Sequence, residues 1–265
     1  MVKTKHYIYK NTKIIKISGK HCLSFLNGQL TNDINLLNKI KPIQLSALCN
    51  QKGRVMGMFF VYFVNSSTVL ISVPDNLVIF ILKNFKKYAI FSEVKFDVCE
   101  GYKLVYTTSD NLPQEYCLQH SIINNEKIRN CNITTNINFE DVYKQQIQKH
   151  LPTIDTQNSG IFLPEELELE KLQAISYQKG CFMGQEVIAR MKYRGLLKKK
   201  LLAVTVTPKI PYASNILDEN ENSIGKAVNQ INIKNTSYLL AVFNQKIKIK
   251  SGCIKLGKYA TGSIA

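Results

Sequence analysis

KGCFMGQEVIARMKYRG, running from Lys179 to Gly195, packs one cysteine, four basic side chains, one Glu, one Gln and three glycines into a single short stretch. No other part of the chain is as dense in nucleophilic and anion-seeking groups. Gly180 and Gly184 bracket Cys181, and glycine permits tight turning or close approach of the backbone to a ligand. From Gly184 onward Val187, Ile188 and Met191 recur with helical spacing. Glu186, Arg190 and Arg194 follow at intervals of four, so they share one helix face with Glu ahead of Arg, the favourable order. Gly195 is placed to end the helix as its C′ residue. Cys181 then precedes a helix start, where partial positive charge together with Lys179 favours the thiolate. A thiolate serves as nucleophile, redox group or metal ligand, whereas a cysteine on a glycine turn also serves simply as a small core residue.

The 265 residues suggest about two domains, and 45% hydrophobic content fits a globular chain. The first residues, MVKTKHYIYKNTK, carry charge and lack an apolar core segment, so no signal peptide is expected. The densest apolar run, Val55 to Val64, is half the ~20 residues of a membrane helix and reads as a buried strand. The seven cysteines form no C-x-x-C pair. That argues against a disulfide framework and a zinc knuckle and points to a reducing, cytoplasmic setting. The net charge of +16 attracts polyanions such as RNA, although a Lys-, Ile- and Asn-rich composition also yields many merely solvated lysines.

Read in order, Lys13–Ile17 is a short strand, His21–Leu26 a helical turn broken by Asn27-Gly28, and Thr31 or Asn32 the cap of a second short helix carrying Ile34, Leu36 and Leu37. Gln44–Cys49 and Arg54–Val64 are strands joined by the turn Asn50-Gln51-Lys52-Gly53. A strand at Thr68–Val73 precedes an amphipathic helix from Leu77 to about Lys87. Strands follow at Val94–Val98 and Tyr102–Tyr106. Weak strands at Glu115–Leu118 and Lys127–Cys131 lie in a polar segment, and Phe139–Lys149 is a helix. Glu165–Tyr177 reads as partly helical. Its acidic residues Glu165, Glu166, Glu168 and Glu170 have no His nearby and read as surface charge rather than a metal site. Beyond Lys198-Lys199-Lys200, short strands at 201–206, 216–217, 224–228, 237–243, 246–249 and 253–256 suggest a small antiparallel barrel.

Several patches carry a family likeness. Lys179, Gly180, Cys181, Gly184, Gln185, Glu186, Ala189, Arg190, Arg194 and Gly195 match K-G-C-Y/F-x-G-Q-E-x-x-A-R-x-x-x-R-G. Ile17, Gly19, Phe25, Leu26, Gly28, Gln29, Thr31 and Asp33 match I-x-G-x-x-x-x-x-F-L-x-G-Q-x-T-x-D, with Lys20 where an acidic residue is frequent. Leu48–Arg54 matches L-x-x-x-K-G-R/K, and Lys87–Val94 matches K-Y-x-L/V-F-S-x-V with Ile90 as a mild departure. Asp155, Asn158, Ser159, Phe162 and Pro164 match the phrase leading to the KGC motif, with Glu168 where Asn is common. These stretches resemble the YgfZ-type folate-binding proteins, relatives of the glycine-cleavage T-protein (aminomethyltransferase) that are associated with tRNA modification and with maintaining iron–sulfur enzymes.

The resemblance implies an α+β fold: a T-protein-like folate-binding body over residues 1–196, with two subdomains, and a C-terminal antiparallel β-barrel over 197–265. Thr107–Asn138 corresponds to a longer family segment, so a trimmed subdomain is expected. The implied function is a cytoplasmic accessory factor, monomeric and away from membranes. It would bind tetrahydrofolate or another folate and support the assembly or repair of iron–sulfur enzymes and tRNA methylthiolation. Cys181 would be the essential thiol, acting in redox, in sulfur chemistry or in contact with a cluster. Lys179, Arg190 and Arg194 would set its charge field or hold the folate glutamate tail, an Arg–carboxylate contact being chemically apt. Gln185 and Glu186 would bond the pterin or cap the helix. Family members place aromatics, often Trp, near the pterin; this chain has no Trp, leaving Tyr143 or another ring for that contact.

Two other readings stand beside this one. A non-catalytic module could meet tRNA through its basic face, with direct RNA contact that weakens steeply with salt. A folate-dependent one-carbon transferase would need the T-protein's acidic pair. The matching positions here are Gly57 and Met58, which offer no general base, so aminomethyl transfer and classical turnover are not expected.

Overall fold

The computed structural model describes residues 4–8, 11–109, 119–124, 139–194, 199–212, 215–218, 220–244, 253–256 and 260–264. The expected weak strands at Glu115–Leu118 and Lys127–Cys131, the strand at 246–249 and Gly195 lie outside these residues. Contacts gather the chain into two compact units. The first comprises Met1–Cys49, Met56–Phe139 and Gln173–Met183; the second comprises Asn50–Val55, Glu140–Leu172 and Gly184–Ala265. Residues 140–172 and the turn at 50–55 thus group with the C-terminal strands rather than with the N-terminal sheets.

In the first unit β1 (Thr4–Ile8), β7 (Tyr102–Ser109) and β8 (Gln119–Asn124) form a three-stranded antiparallel sheet in the order β1-β7-β8. The other five, β2 (Thr12–Ser18), β3 (Ile43–Cys49), β4 (Val55–Asn65), β5 (Thr68–Pro74) and β6 (Lys95–Val98), form a sheet in the order β3-β4-β5-β2-β6. Helices α1 (Cys22–Gln29) and α2 (Val78–Tyr88) complete the unit. Ile14 and Ile15 are both fully buried although adjacent in β2. Successive strand residues face opposite ways, so this sheet is covered on both sides. Ile14, Tyr62, Leu70 and Leu104 make one cluster. Phe25, Phe59, Phe85 and Phe96 make another, with Phe85 stacked on Phe96 at 5.8 Å and Phe25 edge-on to both. The double cover explains why β4 reads as a continuous apolar run without alternation.

The short N-terminal elements depart from expectation in an instructive way. Helix α1 does not break at Asn27-Gly28 but continues to Gln29. The anticipated second helix is one 3-10 turn, Ile34–Leu36, capped by the Asp33 side chain, which accepts from the Asn35 N–H, rather than by Thr31 or Asn32. Thr31 and Asn32 are buried and spent elsewhere. The Thr31 hydroxyl donates to Ala174 O at 2.7 Å, and Asn32 Nδ2 donates to Leu45 O and Gln173 O. Tertiary partners some 140 residues away outbid a local cap.

The second unit holds α3 (Phe139–Gln148), α4 (Gln185–Arg194) and six strands: β9 (Lys199–Thr207), β10 (Asn215–Leu217), β11 (Ser223–Ile233), β12 (Thr236–Asn244), β13 (Cys253–Leu256) and β14 (Ala260–Ile264). They pair antiparallel in the order β10-β11-β12-β9-β14-β13. Among the described residues β10 and β13 are the edges, and no pairing between them closes the expected barrel. Val204, Val206, Ile216, Leu239, Ala241 and Phe243 build its core. Residues 165–177 are not helical. Leu167 N–H reaches Leu163 O and Leu169 N–H reaches Pro164 O in successive turns, and Glu168 and Gln173 interrupt any helix at φ 54° and 51°.

Candidate functional site

Two motif patches meet in the second unit. The Asn50 side chain accepts from the N–H groups of Lys52 and Arg54, and its carbonyl accepts from Gly53 N–H, which closes the tip between β3 and β4. Gly53 sits at φ +70°, and a β-carbon there would lie 3.1 Å from Ile188 and 3.3 Å from Val187 of α4. Gly184, at φ +81°, approaches so closely that a β-carbon would stand 2.4 Å from Asn50 O. The glycines of the KGR turn and of the GQE helix start are therefore there to let two backbones touch. On α4, Glu186 and Arg190 form the expected i,i+4 pair at 3.1 Å, exposed to solvent. Gln185 opens the helix, and Arg194 is its last residue.

In the first unit Cys181 is exposed, whereas Cys22 and Cys49 are buried. Two residues earlier Lys179 points inward, only 8% exposed. Its ammonium donates to Asn27 O and to Leu30 O at 2.6 Å, and lies 5.0 Å from the centre of the Phe182 ring. Those carbonyls end α1, where helix carbonyls lack intrahelical partners and cations are favoured. This cap is why α1 runs through Gly28. Burial pushes the Lys179 ammonium down to about 8, with Asp33 pulling the other way. Lys179 is thus engaged with backbone carbonyls rather than turned toward a ligand.

A cleft of about 470 Å³ opens in the second unit, lined by Arg54, Phe162, Glu166, Lys199, Lys226 and Asn244 among others. Glu166 is 7% exposed and organises it. One oxygen accepts from Lys199 Nζ at 2.7 Å; the other accepts from Leu163 N–H at 2.9 Å and lies 3.7 Å from Arg54 Nη1. Arg54 also donates to Ile161 O at 2.6 Å. Three cations against one carboxylate leave the wall positive, and the volume suits a small ligand. Expected as surface charge, Glu166 is a buried pivot. Its role was illegible because Arg54 and Lys199 lie far away in sequence. The basic KGR turn was the one available signal. Glu168 and Glu170 do pair at the surface, with Lys171 and Lys192. Both Glu165 oxygens are buried with no hydrogen-bond partner among the described residues, and burial, aided by Glu166 and Glu170, raises its carboxyl above the usual range.

Tyr143 is half-buried on α3, its hydroxyl accepting from Asn229 Nδ2 at 2.9 Å. Burial raises that phenol, with Asp155 adding to the effect. Asn229 also accepts from Thr153 N–H and donates to Thr153 O, so the tyrosine belongs to a network that fastens the 151–158 loop to β11. A β-carbon at Gly57 would fall 2.7 Å from the Phe59 ring, and Met58 is buried. Among the described residues no three His, Cys, Asp or Glu side chains gather as a metal site.

Three antiparallel sheets, with the KGR turn seated on a GQE helix, define an α+β protein with the fold of an aminomethyltransferase. The chain aligns with glycine cleavage system aminomethyltransferase T from Bartonella henselae at a TM-score of 0.70, covering 98% of this chain and 84% of that one, with 12% identity. That likeness is one of fold. A Haemophilus influenzae protein described as uncharacterized is 30% identical over 250 residues, 89% of this chain and 87% of its own. The tRNA-modifying protein YgfZ of Buchnera aphidicola is 28% identical over 90% of this chain and 86% of its own, and that of Colwellia psychrerythraea 26% over 78% and 73%. No family model matches the chain. The chain belongs to the YgfZ family.

Proposed function

We propose that the protein is a folate-binding accessory factor for tRNA modification that works with iron–sulfur enzymes, with Cys181 as its working thiol. The observation that carries this reading is the exposure of Cys181 within the KGC motif, in a chain whose relatives are named tRNA-modifying proteins. A cysteine kept for packing is buried; one kept for chemistry must be reached. The donor set of the Arg54–Lys199–Lys226 cleft fits a folate's glutamate tail, whose carboxylates are paired anions. Guanidinium and ammonium groups already held by Glu166 bind them with little further ordering. When bound, the folate supplies a one-carbon carrier. The chain itself supplies the cationic wall, the exposed thiol and, through Lys179, a fixed seat for the KGC turn. Arg190 and Arg194 stand as further partners for the tail, and Gln185 and Glu186 for the pterin. Aminomethyl transfer is disfavoured, because Gly57 and Met58 stand where the acidic pair would be needed and offer no carboxylate.

The test is complementation. Wild type and Cys181→Ser are expressed in a host lacking its own family member, and methylthiolated tRNA nucleosides are quantified by mass spectrometry. Restoration by wild type and not by Cys181→Ser is expected. Equal restoration by both removes the thiol from the mechanism, and no restoration by folded wild type removes the accessory role. Among the described residues no helix is long and apolar enough to cross a membrane.

A further inference from the structure

Helix α2 ends in a short knuckle that leads into β6, and its exposure is unusual. Phe91 is 96% exposed and Ile90 73%. Contiguous apolar surface rimmed by polar groups marks contact sites, whereas single exposed side chains do not, and here Ile90 and Phe91 stand exposed side by side. The knuckle is held. Ala89 N–H bonds Phe85 O at 3.0 Å and Ser92 N–H bonds Ala89 O at 2.9 Å. Glu93 turns at φ +47°, and its carbonyl lies so near the Gly19 α-carbon that a side chain there would sit 2.1 Å away. Behind it the ring of Phe96 joins the aromatic core with Phe85 and Phe25.

The surroundings are cationic. Lys83, Lys86, Lys87 and Lys95 are exposed on α2 and at the start of β6, with Lys87 Nζ 5.3 Å from the Tyr88 ring centre. Of the two nearby acids, Asp97 is countered by Lys16 at 3.9 Å, while Glu93 makes no ion pair among the described residues. A groove of about 380 Å³ beside the knuckle is lined by Lys86, Ile90, Lys95, Phe96 and Asp97. We infer that this knuckle is an RNA-docking surface, on which Phe91 stacks an unpaired base while Lys86, Lys87 and Lys95 meet the flanking phosphates. Protein-interface cores are depleted of lysine, whereas single-stranded nucleic acid is bound by aromatic platforms set among cations. A ring open on both faces, ringed by ammonium groups, matches the second design. The net charge of +16 supplies long-range attraction for the same partner. The inference rests on the reading that tRNA is what the protein serves, and it assigns the contact to one place.

The experiment is fluorescence anisotropy with labelled unmodified tRNA, a single-stranded oligoribonucleotide and a blunt duplex RNA, over a range of salt. Phe91→Ala is expected to weaken tRNA and single-strand binding about 5- to 100-fold, the span that loss of one stacked base represents, without changing the salt slope. Phe91→Trp should retain binding, and the blunt duplex should bind weakly and ignore position 91. Lys86→Glu with Lys87→Glu should lower the salt slope by about two. Because Phe91 supports no packing, Phe91→Ala should melt as wild type does, which keeps a binding loss interpretable. Wild-type affinity in Phe91→Ala overturns the inference, and so does a photo-crosslinker at position 91 that captures protein and no RNA. If wild type restores tRNA modification in the deficient host but binds no tRNA, the docking surface fails and the functional reading stands. If it binds tRNA through Phe91 yet restores nothing, the functional reading fails and the docking surface stands.

Discussion

Lys179 illustrates how a motif residue can be chosen for the fold. Its ammonium is buried against the last carbonyls of α1, so Lys179→Met should cost about 1–3 kcal/mol by orphaning two acceptors. Urea unfolding measures this, and an unchanged midpoint would remove the capping role. Glu165 makes the opposite case. Its carboxyl is raised by burial, and a raised folded pKa means the charged form is penalised at neutral pH. Glu165→Gln should therefore stabilise the protein by about 1 kcal/mol at pH 7. The gain should fade as pH drops below the ordinary carboxylate range, where the wild-type carboxyl is protonated in both folded and unfolded chains. A gain independent of pH between 4 and 7 would show that packing rather than charge is responsible. At this scale the sequence said much about the Glu186–Arg190 pair, whose partners are local. It said little about Lys179, Glu165 or Glu166, because burial depends on elements far along the chain.

At the scale of elements, legibility followed periodicity. Strands β2 to β5 and the α2, α3 and α4 helices lie within a residue or two of where alternation, apolar spacing and glycine punctuation put them. The segment 165–177 misled because Leu169, Leu172 and Ile175 repeat at helical spacing, yet successive turns with left-handed residues at Glu168 and Gln173 bury the same side chains. Strand β14 was missed, since Ala260–Ile264 reads ATGSI, with one large apolar residue and no apolar alternation, and only its pairing with β9 and β13 makes it a strand. Glycines give the sharpest element-level prediction. Gly184→Ala must both hold φ +81° with a side chain and push Asn50 O from 2.4 Å, so a loss of about 2–4 kcal/mol is expected. Gly28→Ala lies in α1 with nothing within 4 Å of the added carbon and should gain about 0.5–1 kcal/mol. Thermal unfolding of both variants checks the pair, and similar shifts in the two would show that glycine position carries no such information.

At the scale of the molecule, charge joins stability to function. A chain of net charge +16 repels itself at low ionic strength, and screening over a Debye length of about 10 Å at 0.1 M relieves this. Raising sodium chloride from about 10 to 300 mM should therefore raise Tm even as it weakens RNA binding. Sulfate adds a second effect if the cleft around Arg54, Lys199 and Lys226 captures anions, because a ligand that binds only the folded state stabilises it by mass action. Sulfate also stabilises proteins by exclusion from their surfaces, so the informative quantity is a difference between chains. At matched ionic strength the extra Tm from sulfate over chloride should be larger in wild type than in Lys226→Glu, which is exposed and should fold unchanged. Glu166→Gln, which removes the single carboxylate from the wall, should enlarge it further. Equal increments in all three chains would mean that the cleft binds no anion, and the folate tail would then have to be held by Arg190 and Arg194.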